Sequence, residues 1–213
     1  HIASGGAVTV EGDTWVSRDP GSSGAIAFDT GTLTTGGFLC GSDTLRGTGT
    51  IHAGGLVSDV DLVFDATHGL NQTFSMNGGP GQDITVNLSV SGVNPMGAGY
   101  SDAGTMRICD ARVIQSTDGY VGYESGSAGA VTVGGAGSAW MNSGILRVGR
   151  SGGGTLNIEA GGAVSSRLGY IGCESGSTGA VTVDGAGSTW TVNDWLHVAE
   201  CGSGTLSITN GGG

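Results

Sequence analysis

Apolar residues in this chain fall in short runs at every second position, each run closed off by glycine, serine or asparagine. Val131 and Val133 bracket Thr132, and Leu156 and Ile158 bracket Asn157. That period of two marks a strand with one face turned inward. The runs come in threes. Tyr120-Val-Gly122 leads to Gly129-Ala-Val-Thr-Val133 and then to Ser138-Ala-Trp140, while Ile145-Leu-Arg-Val148 leads to Thr155-Leu-Asn-Ile158 and then to Ala163-Val-Ser165. Three short strands in about 25 residues make one coil of a solenoid.

Two such coils form a longer repeat. The run Gly119-Tyr-Val-Gly-Tyr-Glu-Ser-Gly-Ser-Ala-Gly-Ala-Val-Thr-Val133 returns fifty residues later as Gly169-Tyr-Ile-Gly-Cys-Glu-Ser-Gly-Ser-Thr-Gly-Ala-Val-Thr-Val183. The offset holds without a gap: Trp140 falls on Trp190, Leu146 on Leu196, Val148 on Val198 and Gly154-Thr-Leu156 on Gly204-Thr-Leu206. About 26 of 45 aligned positions are identical. Backwards, Gly99-Tyr-Ser-Asp-Ala-Gly-Thr-Met106 aligns with Gly149-Arg-Ser-Gly-Gly-Gly-Thr-Leu156, so the clear repeats begin near Ala98.

The pattern predicts an all-β fold, a parallel β-helix (β-solenoid) of about 25 residues and three short strands per coil, rising ~4.8 Å per coil. Val131, Val133, Leu156, Ile158, Val181, Val183, Leu206 and Ile208 should point inward, with glycine at the corners. Residues 96–213 form the regular array of double-coil repeats. Residues 1–95 read as an irregular, β-rich, solenoid-like segment, with a turn at Asn94-Pro95 near the junction. Short strands are expected there at Ala25–Phe28, Thr44–Ile51, Asp61–Asp65, Gln72–Met76 and Asp83–Val90. Gly6-Ala-Val-Thr-Val10 followed by Trp15 echoes Gly179-Ala-Val-Thr-Val183 followed by Trp190.

Composition sharpens this picture. Of 213 residues 46 are glycine and 3 proline, a glycine share about three times the usual one. No Gly-X-Y period appears, which excludes collagen. The alternating apolar runs and a charged fraction of 12% argue against disorder. Net charge is −11, and the seven basic residues are all arginine. Such a chain offers no basic stripe for nucleic acid or an anionic membrane. Without lysine it forms no Lys–Asn isopeptide cross-links. No apolar run is long enough to span a bilayer as a helix. The low charge fits an exported protein, and a chain running from His1 to Gly211-Gly-Gly213, inside a repeat, reads as processed or as the ordered part of a longer one.

The motif order resembles the autotransporter / PEP-CTERM-associated repeat, a glycine-rich bacterial module. The resemblance runs from Gly169 to Trp190 and from Leu196 to Gly212, and covers about residues 98–213. The stretch Leu45-Arg-Gly-Thr-Gly-Thr-Ile51 through Leu62-Val-Phe-Asp65 also looks like the segment preceding these repeats. Ala199 in place of Gly149, and Cys173 in place of Tyr123, depart from the pattern. The resemblance implies a large exported bacterial surface protein, a type V secretion passenger or one sorted to the envelope, and carries no catalytic residue with it.

Few residues suggest chemistry. Asp59 and Asp61, with Asp65 and His68 close by, are the one acidic group of catalytic look, and they read as the solvated face of a strand. Gly78-Gly-Pro-Gly-Gln-Asp83 matches the start of a calcium-binding nonapeptide but stands alone, so a glycine-rich turn is expected. His1, His52, His68 and His197 are too dispersed for a metal site, and no cofactor is expected. Trp140 and Trp190 form either an exposed aromatic ladder for sugars or an internal stack; packing is the expectation. Asn71-Gln-Thr73 and Asn87-Leu-Ser89 match the glycosylation sequon.

Cys40, Cys109, Cys173 and Cys201 show no zinc spacing. Matching Ile171 with Val198 puts Cys173 over Glu200 and Cys201 over Glu174, one step out of line on neighbouring coils. A disulfide is within reach of that spacing, but adjacent residues face opposite ways, so free thiols are expected. Open coil ends expose unpaired backbone groups. Ala7, Val8, Thr9 and Val10 at one end, and Leu206, Ile208, Thr209 and Asn210 at the other, are the candidate assembly ends of a head-to-tail homopolymer. The spacing across such a join differs from that within the chain, so an offset is expected. The reading is therefore a non-enzymatic extracellular structural or adhesive protein of the bacterial surface, a filament subunit or passenger segment, with a glycan or cell-surface ligand as partner. The alternative is a carbohydrate-binding or polysaccharide-cleaving β-helix using the group around Asp61.

Overall fold

The computed structural model describes residues 1–19, 22–77 and 81–213. It is an all-β parallel solenoid of about 8 turns and ~25 residues per coil. Three sheets form its faces. Sheet A runs from Ala7–Val10 through Ile26–Leu39, Leu45–Ser58, Met96–Ala98, Gly119–Val121, Ile145–Val148 and Leu168–Ile171 to Leu196–Val198. Sheet B stacks Asp61–Phe64, Ala103–Ile108, Ala128–Gly134, Gly153–Glu159, Thr178–Asp184 and Ser203–Thr209. Sheet C stacks Val113–Ser116, Ala139–Asn142, Ala163–Ser166 and Thr189–Val192. From residue 96 onward the chain visits A, B and C in turn, and coils one to five below are counted from there.

The ladders explain why the sequence repeats over two coils and not one. In sheet B every step is twenty-five residues, Ala103 to Ala128 to Gly153 to Thr178 to Ser203. In sheet A the steps alternate between twenty-three and twenty-seven, Met96 to Gly119 to Leu146 to Gly169 to Leu196. Side-chain size alternates in the same rhythm. Sheet C carries Ile114, Trp140, Val164 and Trp190 in one column. Each tryptophan lies across the core from a glycine: a β-carbon on Gly119 would sit 2.8 Å from the Trp140 ring, and one on Gly169 2.8 Å from the Trp190 ring. Sheet B completes the pattern, with Val131 and Val133 in coil two but Leu156 and Ile158 in coil three. At these positions even coils therefore hold Gly, Val, Val and Trp, whereas odd coils hold Met or Leu in place of Gly, a larger pair on sheet B, and Ile or Val in place of Trp. Interiors tolerate neither voids nor overlap, and the two recipes fill the same cross-section.

Burial confirms the inward set. Val131, Val133, Leu156, Ile158, Val181 and Val183 are all buried. Leu206 is half-buried and Ile208 is 56% exposed; both lie on the edge strand of sheet B, paired on one side only. Trp140 is fully buried and its indole N–H donates to Ser116 Oγ at 3.1 Å. Trp190 repeats the bond to Ser166 Oγ at 3.3 Å. Trp140 is thus a core residue, and Trp190, half-buried, packs against the same core, as expected of an internal stack.

In the N-terminal segment the strands expected at Asp61–Asp65, Gln72–Met76 and Asp83–Val90 form as Asp61–Phe64, Asn71–Met76 and Asp83–Ser89, but the two before them are far longer than expected. Ile26–Leu39 and Leu45–Ser58 are each 14 residues long and run on through glycines well past the expected ends at Phe28 and Ile51. Those glycines admit a neighbour: a β-carbon on Gly37 would lie 2.8 Å from the Pro95 ring, and one on Gly55 2.8 Å from Asn94 Cβ. The turn at Asn94-Pro95 thus packs on the long strands. Asn71–Met76 and Asp83–Ser89 form an antiparallel hairpin, whose second strand joins Leu45–Ser58 in parallel. Residues 78–80 of the calcium-type motif lie outside the described residues. Among the described residues no helix is long and apolar enough to cross a membrane.

The volume rule is testable as a cycle. Trp140→Val should cost about 2–4 kcal/mol through the cavity it leaves, and Gly119→Leu a similar amount through overlap. The double variant restores the Leu146-with-Val164 combination of coil three at these two positions and should recover about 1–3 kcal/mol relative to the sum, measured by chemical denaturation. Strict additivity would reject the compensation.

Candidate functional site

The acidic group near the hairpin is not a converging pair. Asp59 Oδ1 accepts the backbone N–H groups of Tyr100, Ser101 and Asp102 at 2.7, 2.9 and 3.0 Å, and Oδ2 accepts Ser101 Oγ–H at 2.9 Å. This carboxylate staples the corner of the next coil, a role the alternation of acids along the strand did not suggest. Asp61 stands on the outward face and accepts Thr105 Oγ–H at 2.7 Å. Asp65 Oδ1 takes the N–H groups of Thr67 and His68 and the His68 ring nitrogen, each at 2.8 Å. Those bonds, His68's backbone N–H first, hold its carboxyl below the usual range. Asp61 and His68 do line one cleft of about 550 Å³ with Asn71, Gln72, Thr73 and Ser75.

The parallel pairing of Phe64 with Ile108 brings together residues that no linear motif connects. One ligand atom each of Asp65, Cys109 and Asp110 falls within 4.8 Å of the others. Their bonds are those of two clasped turns: Asp110 Oδ2 accepts the Ala66 N–H at 3.2 Å, and the Arg112 guanidinium donates to the Asp65 carbonyl at 3.0 Å. The sequon residues pair across the hairpin, Thr73 Oγ–H to Asn87 Oδ1 at 2.8 Å and Ser89 Oγ–H to Asn71 Oδ1 at 3.1 Å.

The most developed surface is the outward side of sheet A and its corner with sheet B. Register places Tyr120, Arg147, Tyr170 and His197 in one column. Tyr170 stacks on His197 with centroids 4.8 Å apart, and Arg147 lies 5.4 Å from the Tyr120 ring and 5.9 Å from the Tyr170 ring. Beside it, Tyr100 stacks on Tyr123 at 4.8 Å, and Arg150 covers Tyr123 at 4.2 Å. Trp15 closes the upstream part against Tyr120 and Tyr123, while Tyr100 O–H donates to the Val16 carbonyl at 2.9 Å. Burial pushes the Tyr120 phenol up to about 12. No linear motif connects these four residues; they meet because ladder register aligns them and each faces outward.

Downstream the corner stays open as a cleft of about 570 Å³ lined by Arg147, Arg150, Tyr170, Cys173, Glu174, Ser175, Glu200 and Cys201. The Cys201 N–H donates to the Cys173 carbonyl at 3.1 Å, the one-step offset expected from the half-repeat alignment. Both are free thiols, as are Cys40 and Cys109. Cys173 is buried, and burial pushes its thiol up to about 12, whereas Cys201 is exposed.

The candidate assembly ends lie on different faces. Ala7–Val10 edges sheet A, but Leu206, Ile208 and Thr209 belong to the edge strand of sheet B. Thr209 and Asn210 turn back, each donating to Asp184 Oδ1 at 2.6 Å. The strand of coil five on the same face as Ala7–Val10 is Leu196–Val198.

No family model, curated protein or solved structure matches the chain. Fold and surface together define a β-solenoid repeat protein.

Two outcomes follow from the corner. In the native protein, iodoacetamide should label Cys201 rapidly and Cys173 only after unfolding; a mass two daltons low without reduction would contradict the free pair. Glu124 has one buried carboxylate oxygen without a partner, and burial, then Asp59 and Asp43, raise its pKa. A raised acid supports folding in its protonated form and loses that support as pH rises through the folded-state value. Glu124→Gln should therefore match the parent at pH 4 and exceed its melting temperature at pH 7. Equal melting at both values would refute the assignment.

Proposed function

We propose that this chain is part of an exported, structural or adhesive rod of the bacterial surface, a scaffold rather than an enzyme. The observation that carries the reading is the two-recipe core. Its sequence information goes into making successive coils stack straight, which yields ~38 Å of rod from about 8 turns. Support comes from the repeat's resemblance to autotransporter / PEP-CTERM-associated modules and from the planar column on sheet A, a face suited to contact with a glycan or cell-surface partner. Electron microscopy of the native material, with antibody labelling of intact cells, is the test. Rods or filaments labelled outside the cell are expected; compact particles confined to the cell interior would overturn the proposal.

A second reading rests on the cleft shared by Asp61 and His68, whose amide and hydroxyl lining suits a sugar. Binding to a glycan array that Asp61→Ala abolishes would favour it, and glycan cleavage lost with the same substitution would displace the scaffold reading.

A further inference from the structure

At the corner from sheet A into sheet B each coil turns through a residue of positive φ: Gly99 at 72°, Gly122 at 74°, Gly149 at 72°, Gly172 at 70° and Ala199 at 59°. Two constraints favour glycine there. The local one is the left-handed backbone, which costs a side-chain-bearing residue about 1 kcal/mol. The second comes from the next coil. A β-carbon on Gly99 would lie 2.5 Å from the Gly129 nitrogen, and on Gly122, Gly149 and Gly172 it would overlap the carbonyl oxygens of Gly153, Thr178 and Ser203. Every one of these atoms belongs to the sheet-B strand of the following coil, at its start. The four glycines make room for the coil after their own. Ala199 meets the local constraint at modest cost and carries a methyl group where that room would be.

We propose that Ala199 is a register stop: its methyl fills the space through which the sheet-B strand of a sixth coil would enter. Coil five is therefore not continued in register, either by further chain or by a second copy. The inference goes beyond the scaffold reading and constrains how such rods join, since any join at this end is shifted or brings a backbone that leaves the space over Ala199 empty. It rests on the corner geometry alone, so its failure leaves the surface-rod proposal standing, and the converse holds too.

The test extends the chain. Position 213 is the repeat equivalent of 163, so a second copy of residues 164–213 appended after Gly213 supplies two more coils with the large–small alternation intact. Hydrogen exchange is then read on the added copy of the Thr178–Asp184 strand. With Ala199→Gly, its amides should be protected at least tenfold more than in the extended chain that keeps Ala199. Protection in both chains, or in neither, overturns the inference. The reverse substitution checks the same contact in the native chain. Gly172→Ala should expose the Ser203–Thr209 amides while those of Ala128–Gly134 stay protected, and unchanged exchange in Ser203–Thr209 would count against the proposal.

Discussion

The structure depends on a fixed cross-section. Parallel ladders on three faces hold successive coils ~4.8 Å apart, so no coil can swell or shrink without breaking hydrogen bonds on both sides. The side chains inside each turn must then sum to one volume. The chain meets this demand in two ways, a tryptophan opposite a glycine with valines on sheet B, or a smaller aliphatic in place of the tryptophan opposite Leu or Met with larger residues on sheet B. Because the Trp140 ring reaches Gly119 across the core, neither residue is free to change alone. Alternation follows from packing: two Trp-bearing coils in succession would stack indole on indole in one column, whereas Ile114 and Val164 flank Trp140 and Val164 separates it from Trp190.

Fixing the inside also fixes the outside. A strand slipped by one residue would turn its inward set to solvent, so the core recipe locks the outward register as well. Tyr120, Arg147, Tyr170 and His197 meet as planar groups because the ladder spacing is close to a stacking distance. The column's chemistry is thus a consequence of coil registration and not of a local motif. The same registration lets the segment after Thr14–Trp15 cover the buried tyrosines upstream and leaves Arg147, Arg150 and Tyr170 accessible downstream.

Legibility tracked regularity. From residue 96 onward the step between neighbours is constant or alternates by a few residues, so sequence offset gave spatial contact, including Cys173 near Cys201. In the N-terminal half the step drifts: Ile26 pairs with Leu45, Thr48 with Asp83 and Val57 with Gly97. No fixed offset exists there to be found. Glycine was the second obstacle. At Gly37 and Gly55 it permits close approach of the turn at Asn94-Pro95 within continuous strands, yet in sequence it looks like the glycine of a corner. The stapling by Asp59 and the approach of Asp65 to Cys109 and Asp110 were hidden for a third reason, since the turns they join lie more than forty residues apart and the bonds are mostly to backbone atoms without sequence identity.

That last point explains the acidity. A coil with three corners leaves backbone N–H groups outside the ladders at each corner, and unpaired donors are costly to leave without a partner. Short carboxylates are well placed to accept them. Asp118 takes the Ile145 N–H at 2.7 Å and Asp102 the Ala103 N–H at 2.8 Å, alongside the bonds already described for Asp59, Asp65 and Asp110. Lysine, a donor only, would leave these groups unsatisfied. The surplus of Asp over basic residues is therefore what a many-cornered solenoid with glycine turns selects for its own backbone. A net charge of −11 is by itself no sign of a cationic ligand, and the arginines gathered on the aromatic column are the charges whose placement the backbone does not explain.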